Sequence, residues 1–369
     1  MLKNYYSQYD WKTMLAQHPL REYDLSQYHK ILCPPNDYPF FLDKYIKLDS
    51  LQRLKGIGLL CGTDWTKLYK NRLYYSRLDH SIGVALIIWH FTHDKAQTLA
   101  GLFHDISTSV FSHVSDFRKG DALTQTLTEG PTAAMIRSDK ELQKLLQSDG
   151  ITSSEIEDYH IYPVADNEIP QLSADRLEYM FPSGMALDGS WTMEEIRTCY
   201  NDIEVLTNEE GQPELGFKTL EIAEEYCRHF CMIGHILQLN ENKLALNMLG
   251  TIMNQAVDSG ILTESDFMTL SESQVISKLE EAFKSKHSKL ARLYFTFRNM
   301  TFIEHCDQGL PEDEYFCVNL KVKQRYINPL VKSPDGKARR LYELSEKGQT
   351  YIDDFKTYED TAYGCVRLI

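Results

Sequence analysis

The dipeptide His-Asp occurs twice in a short stretch of the chain, at His93-Asp94 and at His104-Asp105. The first pair lies in a polar joint between two apolar segments, and a solvated turn with Asp94 capping the next helix accounts for it. The second pair follows the apolar segment AQTLAGLF, where an ionised carboxylate is costly unless it is paired or bound to a cation. A divalent metal is the expected partner, because it binds both a neutral imidazole nitrogen and a carboxylate oxygen.

Two ligands do not hold a metal in a defined geometry, so further ligands are expected elsewhere in the chain. The segment SRLDHSIGV begins the preceding helix with His80 at its polar start, and the chain then returns as a helix that ends at His104. The segment QLSADRLEYM places Asp175 in the first turn of a helix that Ser173 can cap. The resulting set offers two nitrogens and two oxygens: His80, His104, Asp105 and Asp175. Such ligands suit Mn, Fe, Ni, Co, Zn or Mg without a sharp preference.

These motifs also carry a resemblance to a known family. RLDHSIGV, GLFHDIS…VFSH and LSADRLEYM follow one another in the order of the H…HD…D signature of HD-domain phosphohydrolases. The chain is most similar to the branch that contains deoxynucleoside triphosphate triphosphohydrolases, and LDSLQRLKGIGLL and TLTEGPTAAMIRSDKELQKLL extend the similarity over about residues 45–260. The resemblance implies an all-α HD-domain core and assigns the metal to the same two histidines and two aspartates.

The resemblance implies roles for further side chains as well. Four residues would contact the substrate: Arg53, Arg77, Arg176 and Tyr179. Arg77 precedes His80 by one helical turn and would share its face, although an ordinary surface salt bridge is the alternative for Arg77. His113 and Asp116, in VFSHVSD, resemble a proton donor and its orienting partner. The alternative for His113 is a surface histidine that is hydrogen-bonded to a helix end.

A metal with these neighbours suits phosphate chemistry. A bound cation can lower the pKa of its water to about 7 and can polarise a phosphoryl oxygen. Arginine complements the excess negative charge, because its planar fork matches phosphate oxygens. The expected function is therefore a metal-dependent phosphohydrolase with a small phosphate compound as its substrate.

The chain departs from the triphosphohydrolase pattern at several positions. Thr108 and Thr128 replace histidines, Leu59 replaces a glutamine, and Pro182-Ser183 replaces an Arg-Asp pair. A threonine hydroxyl can hydrogen-bond a phosphate oxygen but does not titrate near neutrality, so Thr108 is a candidate substrate contact. Loss of polar contacts relaxes or changes selectivity, which favours a nucleotide or related phosphate ester or anhydride over a specific triphosphate. The alternative is a catalytically weak or inactive nucleotide-binding or regulatory protein.

Composition sets broader limits. The 369 residues are 43% hydrophobic and carry a net charge of −14, which argues against non-specific binding to nucleic acid or to membranes. No apolar run is long enough to span a bilayer, the N-terminus lacks the order of a secretion signal, and the eight scattered cysteines are expected to be reduced. We therefore expect a cytoplasmic protein, with homo-oligomerisation an option that its relatives suggest.

The expected organisation has three parts: an N-terminal wrapping segment (1–44), a helical HD domain (45–300) and a small α+β C-terminal appendage (301–369). Apolar periodicity predicts strong helices at Thr132–Gln147, Leu220–Leu239 and Asn242–Val257. Alternation after residue 300 predicts strands in the appendage. The basic segment Leu320–Arg340 is interpreted as a solvated hairpin, with an edge for nucleic acid or a regulatory nucleotide as the weaker alternative.

Overall fold

The computed structural model describes residues 25–71, 73–123, 130–284 and 288–369. Thr128 and most of the predicted N-terminal segment lie outside the described residues. The α-helices of the described residues are α1 (Leu25–Leu32), α2 (Leu42–Ile46), α3 (Asp49–Gln52), α4 (Arg77–Thr92), α5 (Lys95–Phe103), α6 (Val114–Arg118), α7 (Thr132–Ser138), α8 (Lys140–Asp149), α9 (Ala174–Leu187), α10 (Met193–Asn201), α11 (Leu220–Gln238), α12 (Asn240–Asp258), α13 (Asp266–Thr269), α14 (Glu272–Phe283), α15 (Lys289–Asn299), α16 (Leu341–Leu344) and α17 (Glu346–Thr357).

Two small sheets accompany the helices. Their strands are β1 (Ile203–Thr207), β2 (Pro213–Phe217), β3 (Glu304–Cys306), β4 (Tyr315–Val318), β5 (Leu330–Lys332), β6 (Ala338–Arg340) and β7 (Tyr363–Arg367). One sheet has the order β1-β2-β5-β6 and the other has the order β3-β7-β4. The β2–β5 pair is parallel, with Gly216 opposite Leu330, and the other pairs are antiparallel.

The β1–β2 hairpin corrects the prediction that the body is entirely helical up to residue 300. Its strands begin with the β-branched and apolar run IEVLT, and the left-handed Gly211 (φ +78°) lies in the turn between them. Because β2 pairs with β5, one sheet contains strands from both sides of the predicted boundary at residue 300. The C-terminal strands are thereby held against the helical body.

Polar caps fix where the site-bearing helices begin. Ser76 and Asp79 form a capping box at the start of α4, in which each side chain bonds the other residue's backbone N–H. The Asp94 side chain accepts a hydrogen bond from the Gln97 N–H at the start of α5. Ser173 accepts one from the backbone N–H three residues later at the start of α9. The predicted caps at Asp94 and Ser173 are therefore confirmed.

The predicted helix Thr132–Gln147 is wrong in one respect, because the structure breaks it into α7 and α8. Asp139 adopts an extended conformation between the two helices, and its side chain accepts hydrogen bonds from the N–H groups of Glu141 and Leu142. An aspartate that competes for backbone donors in this way favours a cap over a helix interior. The other two predicted helices are present as α11 and α12, with ends shifted by one or two residues.

The core around the site lies between α4, α5, α9 and α11. Helix α4 packs on α5, and α9 packs on both α4 and α11. Fully buried apolar side chains fill the space between them, among them Val84, Ile87, Leu99, Phe103, Leu177, Phe181 and Phe230. Truncating one of these leucines to alanine would cost about 2–5 kcal/mol of stability. The residues that begin and end these helices are thereby held in fixed relative positions.

The expectation that all cysteines are reduced is wrong for one pair. Cys317 on β4 and Cys365 on β7 lie directly opposite each other in the antiparallel sheet and form a disulfide. Their separation of 48 residues along the chain hides this proximity from sequence reasoning. The other cysteines are free thiols: Cys33, Cys61, Cys199, Cys227, Cys231 and Cys306. Among the described residues, no helix combines the length and the apolar character that a bilayer crossing requires.

Candidate active site

The predicted metal ligands converge from three helices. His80 lies in the first turn of α4, His104 and Asp105 directly follow α5, and Asp175 is the second residue of α9. His80, His104 and Asp105 each place one ligand atom within 4.8 Å of the others, an arrangement that suggests a divalent metal. Oδ1 of Asp175 lies 3.0 Å from Nε2 of His80 and 3.8 Å from Nε2 of His104.

Hydrogen bonds at the far side of each imidazole present Nε2 to this cluster. Nδ1 of His80 donates to Oε2 of Glu178 at 2.5 Å, and Nδ1 of His104 donates to the carbonyl oxygen of Gly101 at 2.7 Å. A histidine whose Nδ1 carries the proton keeps the Nε2 lone pair for a cation. The residues present therefore fit a divalent ion held by two nitrogens and two carboxylate oxygens.

Glu178 is a site residue that sequence reasoning missed. Its side chain is fully buried and accepts hydrogen bonds from the hydroxyl groups of Tyr28 (3.2 Å) and Tyr75 (2.6 Å) as well as from His80. Gly83 makes room for it, because a Cβ at position 83 would overlap the Glu178 carboxylate. The available signal was an acidic residue one turn after Asp175 within an otherwise apolar helix face.

The Asp105 carboxylate is held from two sides. Nη1 of Arg77 lies 2.8 Å from Oδ2 of Asp105, and the Thr108 hydroxyl donates to Oδ1 at 2.8 Å. Burial by itself raises the pKa of Asp105, but the charges of Arg77, His104 and His80 outweigh burial and hold this pKa well below its ordinary value. Asp105 is therefore ionised and positioned to bind a cation.

The centre favours a bound positive charge. Burial by itself lowers the pKa of His80, but the Glu178 carboxylate and the hydrogen bond to Asp175 outweigh it and raise this pKa to about 10. For Asp175, burial raises the pKa, and the hydrogen bond and charge of His80 together with the charge of His104 more than reverse that rise. Surrounding carboxylates that attract a proton to an imidazole also attract a metal ion.

A cavity of about 450 Å³ opens beside the ligands and contains part of the predicted substrate site. Arg77, Arg176 and Tyr179 line it together with His113. Arg53 and Thr108 are not among the described residues that line it: Nη2 of Arg53 donates to the Ile106 carbonyl oxygen at 2.7 Å. Thr108 instead contacts the predicted metal ligand Asp105.

His113 and Asp116 form the predicted pair. Nδ1 of His113 lies 2.9 Å from Oδ2 of Asp116, which is fully buried, while His113 is partly exposed and lines the cavity. Burial lowers the pKa of His113, the hydrogen bond to Asp116 raises it, and the positive charges of Arg325 and Arg77 lower it further. The net shift of the His113 pKa is downward.

The loop before α9 adds residues that sequence reasoning missed. Tyr159, His160 and Asp166 line the cavity, and the Tyr159 ring centroid lies 4.9 Å from that of His104. Asp166 lies 3.1 Å from Nη1 of Arg176, whose Nε donates to the Gln171 carbonyl oxygen. The sequence around these residues shows neither the apolar repeat of a helix nor the alternation of a strand, so pattern analysis does not single them out.

The C-terminal segment also reaches the cavity. Lys323 and Arg325 line it, whereas Leu330 is buried. Arg340 pairs with Glu214 on β2 and with Glu209 in the turn between β1 and β2. The basic segment is therefore divided: its first part faces the candidate active site, and its last part forms the predicted hairpin, β5–β6.

Positions that depart from the triphosphohydrolase pattern contribute apolar or small groups to the cavity. Leu59 and Ser183 both line it, and Leu187, Ile236 and Leu246 extend the apolar wall. A wall of this kind contacts the organic part of a ligand without reading individual hydrogen-bonding groups.

Comparison with known proteins finds relatives in sequence and solved structures with a similar fold. No family model matches it. It is 21% identical over 282 residues to the metal-dependent phosphohydrolase cns2 of Cordyceps militaris, covering 76% of this chain and 77% of that protein. It is 25% identical over 297 residues to the uncharacterized protein YdhJ of Bacillus subtilis, covering 79% of this chain and 83% of that protein.

Two solved structures share the fold. A hypothetical protein from Aquifex aeolicus superposes with a TM-score of 0.58 at 15% identity, covering 90% of this chain and 92% of that one. A phosphohydrolase from Bacteroides thetaiotaomicron superposes with a TM-score of 0.57 at 13% identity, covering 89% of this chain and 95% of that one. The chain is thus similar in sequence to a metal-dependent phosphohydrolase and in fold to a phosphohydrolase, and its own histidines and carboxylates form a group that suits a divalent metal.

Proposed function

We propose that the protein is a metal-dependent phosphohydrolase that acts on a nucleotide or a related small phosphate ester or anhydride. The observation that carries the proposal is the convergence of His80, His104, Asp105 and Asp175 beside a cavity that also contains His113 and several cationic side chains. The similarity to a metal-dependent phosphohydrolase supports it.

The four ligands would hold a Mn, Fe, Ni, Co, Zn or Mg ion, which supplies an activated water and polarises a phosphoryl oxygen when bound. Glu178 and the Gly101 carbonyl orient the two imidazoles toward the ion. Arg77 balances the charge of Asp105 and keeps its carboxylate in place.

His113 is the proposed proton donor to the leaving group. Its Nδ1 is occupied by Asp116, which leaves Nε2 as the nitrogen that exchanges a proton at the cavity. Asp116 holds the ring in this orientation and favours its protonated form.

The cavity favours a small organic phosphate over a polymer. Its volume of about 450 Å³ lies within the range of about 300–1,000 Å³ that is usual for small-molecule sites. The apolar wall formed by Leu59, Leu187, Ile236 and Leu246 would contact a base or another apolar group. The arginines of the β5–β6 hairpin are paired with carboxylates, which speaks against a nucleic-acid edge there.

A nucleotide-binding protein without turnover is the second candidate. Thr108 favours this candidate, because it stands where triphosphohydrolases carry a histidine. Its hydroxyl bonds Asp105 and cannot titrate near neutral pH as a histidine does. A binding protein would be stabilised by a nucleotide without forming a product.

Metal analysis combined with a phosphate-release screen tests the proposal. The purified protein should contain a divalent metal and should release phosphate, pyrophosphate or triphosphate from at least one member of a nucleotide and phosphate-ester panel, with activity removed by a chelator. Ligand-induced thermal stabilisation without release across the panel would favour the second candidate. Neither release nor stabilisation would reject both.

A further inference from the structure

The candidate active site receives positive charge from a segment far from the metal ligands in the sequence. Lys323 and Arg325 line the cavity that His80, His104 and Asp105 also line. Both basic side chains are half-buried, whereas Gln324 between them is exposed. Val322, beside Lys323, also lines the cavity, so three of these four consecutive residues contribute to its wall.

Specific contacts hold this segment in place. Nε2 of Gln238 donates to the Lys323 carbonyl oxygen at 2.9 Å, and the Lys323 N–H donates to the Ala122 carbonyl oxygen at 3.2 Å. Gly234 on α11 allows the closest approach, because a Cβ there would lie 2.5 Å from the Arg325 carbonyl oxygen. The backbone at Arg325 is therefore fixed against α11 and is not a loose tail.

The segment is also anchored just beyond Arg325. Ile327 is fully buried, and the Asn328 N–H donates to the Pro170 carbonyl oxygen at 2.8 Å. Pro170 belongs to the loop that leads into α9, the helix that carries Asp175. The hydrogen bond from Asn328 to Pro170 thus ties the basic segment to the loop that leads to Asp175.

The arginines that the sequence indicated for phosphate binding are engaged elsewhere. Arg77 bonds the carboxylate of Asp105, and Arg176 bonds Asp166 and backbone oxygens of its own loop. Arg53 donates to a backbone carbonyl oxygen and does not line the cavity. Arg77 and Arg176 therefore each pair with a carboxylate.

Arg325 faces the residues that would surround the reacting group. Burial raises the pKa of Tyr179 to about 12, and the charge of Arg325 is the strongest influence that opposes this rise. The same charge acts on His113, the proposed proton donor. The charge of Arg325 therefore acts on both the proposed proton donor and a side chain of the helix that carries Asp175.

We propose that Arg325, assisted by Lys323, binds the phosphate group of the substrate, so that the C-terminal segment supplies the anion-binding part of the active site. The proposal rests on the proposed function for the identity of the anion. The planar guanidinium can bond two phosphate oxygens at once, whereas Lys323 adds a point charge. The positive charges of both side chains also offset the negative charge of the cavity's carboxylates, which would otherwise repel a dianionic phosphate.

Binding of inorganic phosphate to the metal-loaded full-length protein tests this proposal without requiring turnover. We expect Arg325→Gln to weaken phosphate binding roughly tenfold to a hundredfold, because hydrogen bonds to a charged group are lost. Arg325→Lys should retain part of the affinity, and Lys323→Gln should have a smaller effect. Calorimetric titration gives the dissociation constants, and metal content and circular dichroism verify that each variant is loaded and folded.

Arg339→Gln is the matched control, because Arg339 lies on the same basic segment, is exposed and pairs with Asp335 outside the cavity. It should bind phosphate like the wild type. Wild-type affinity in Arg325→Gln, or no phosphate binding by the wild-type protein, would overturn the proposal. If the wild-type protein hydrolyses a phosphate substrate but Arg325→Gln binds inorganic phosphate with unchanged affinity, only the role of Arg325 is rejected. If phosphate binds through Arg325 but the protein hydrolyses no substrate, only the proposed hydrolase function is rejected.

Discussion

Nδ1 of His80 lies 2.5 Å from Oε2 of Glu178, and both side chains are buried. This contact sets which imidazole nitrogen faces the predicted metal. It also joins α4 to α9, because Gly83 on α4 leaves space for the Glu178 carboxylate. The orientation of a ligand thus depends on the packing of two helices.

Replacing Glu178 by glutamine should weaken metal binding. The amide still accepts a hydrogen bond from Nδ1 of His80 but lacks the negative charge that strengthens His80 as a ligand, and loss of such a supporting group costs about tenfold to a hundredfold in metal affinity. Metal titration with competing chelator measures the effect. Glu272→Gln, another fully buried glutamate outside the metal ligands, should retain wild-type affinity; equal affinities in both variants would contradict the role of Glu178.

Replacing Asp105 by asparagine should remove the metal, whereas the same change at Asp94 should not. Asp105 places a carboxylate oxygen in the ligand group, and an asparagine at this position would offer a neutral oxygen of much lower affinity. Asp94 caps α5, and asparagine caps about as well, so stability should change by less than about 0.5 kcal/mol. Elemental analysis of both variants distinguishes the two His-Asp pairs; full metal content in Asp105→Asn would exclude Asp105 as a ligand.

Replacing Asp116 by asparagine should move the alkaline limb of the rate profile to lower pH. A proton donor must be protonated, so activity falls as pH rises through the pKa of His113. Burial already lowers that pKa, and loss of the Asp116 hydrogen bond and charge lowers it further. The pH dependence of kcat measures the shift. Asp139→Asn, at the cap of α8, serves as the control; an unmoved limb in Asp116→Asn would argue that another group donates the proton.

Glu272 should make the protein less stable as pH rises toward neutrality. Burial is the largest influence on its carboxyl group, and the pKa rises from 4.5 to about 7 although Trp65 and the Gly58 N–H donate to it. Between these values the native state holds a proton that the unfolded state has lost. Its stabilising contribution is therefore complete below pH 4.5 and is lost as pH rises through about 7, by about 3 kcal/mol in total.

Glu272→Gln should remove this pH dependence, although it loses one acceptor and is less stable at low pH. Urea denaturation of both proteins from about pH 4.5 to about pH 8 gives the difference in the free energy of unfolding. The wild-type value should fall relative to that of the variant across this window. Parallel curves would show that Glu272 is not protonated in the native state.

Much of the candidate metal centre was predictable from the sequence, because the residues that mark it do so through their own type and their immediate neighbours. Histidine and aspartate at the ends of apolar helices stand out by residue type, and Ser76, Asp94 and Ser173 mark where those helices begin. The order of the ligand segments then carried a resemblance to a family. The hairpin Ile203–Phe217 and the break at Asp139 were missed, because short strands and helix interruptions depend on local hydrogen bonds that an apolar period does not resolve.

The amino-acid sequence alone determined the types and order of the candidate metal ligands, the predicted pairing of His113 with Asp116 and the helical character of the body. Only the tertiary structure decided that Glu178 orients His80, that Arg77 and Arg176 bond carboxylates, and that Arg325 enters the same cavity. The physical reason is that these relationships join residues far apart along the chain. Their proximity follows from how helices and sheets bury apolar surface together, and no spacing rule within one segment encodes it.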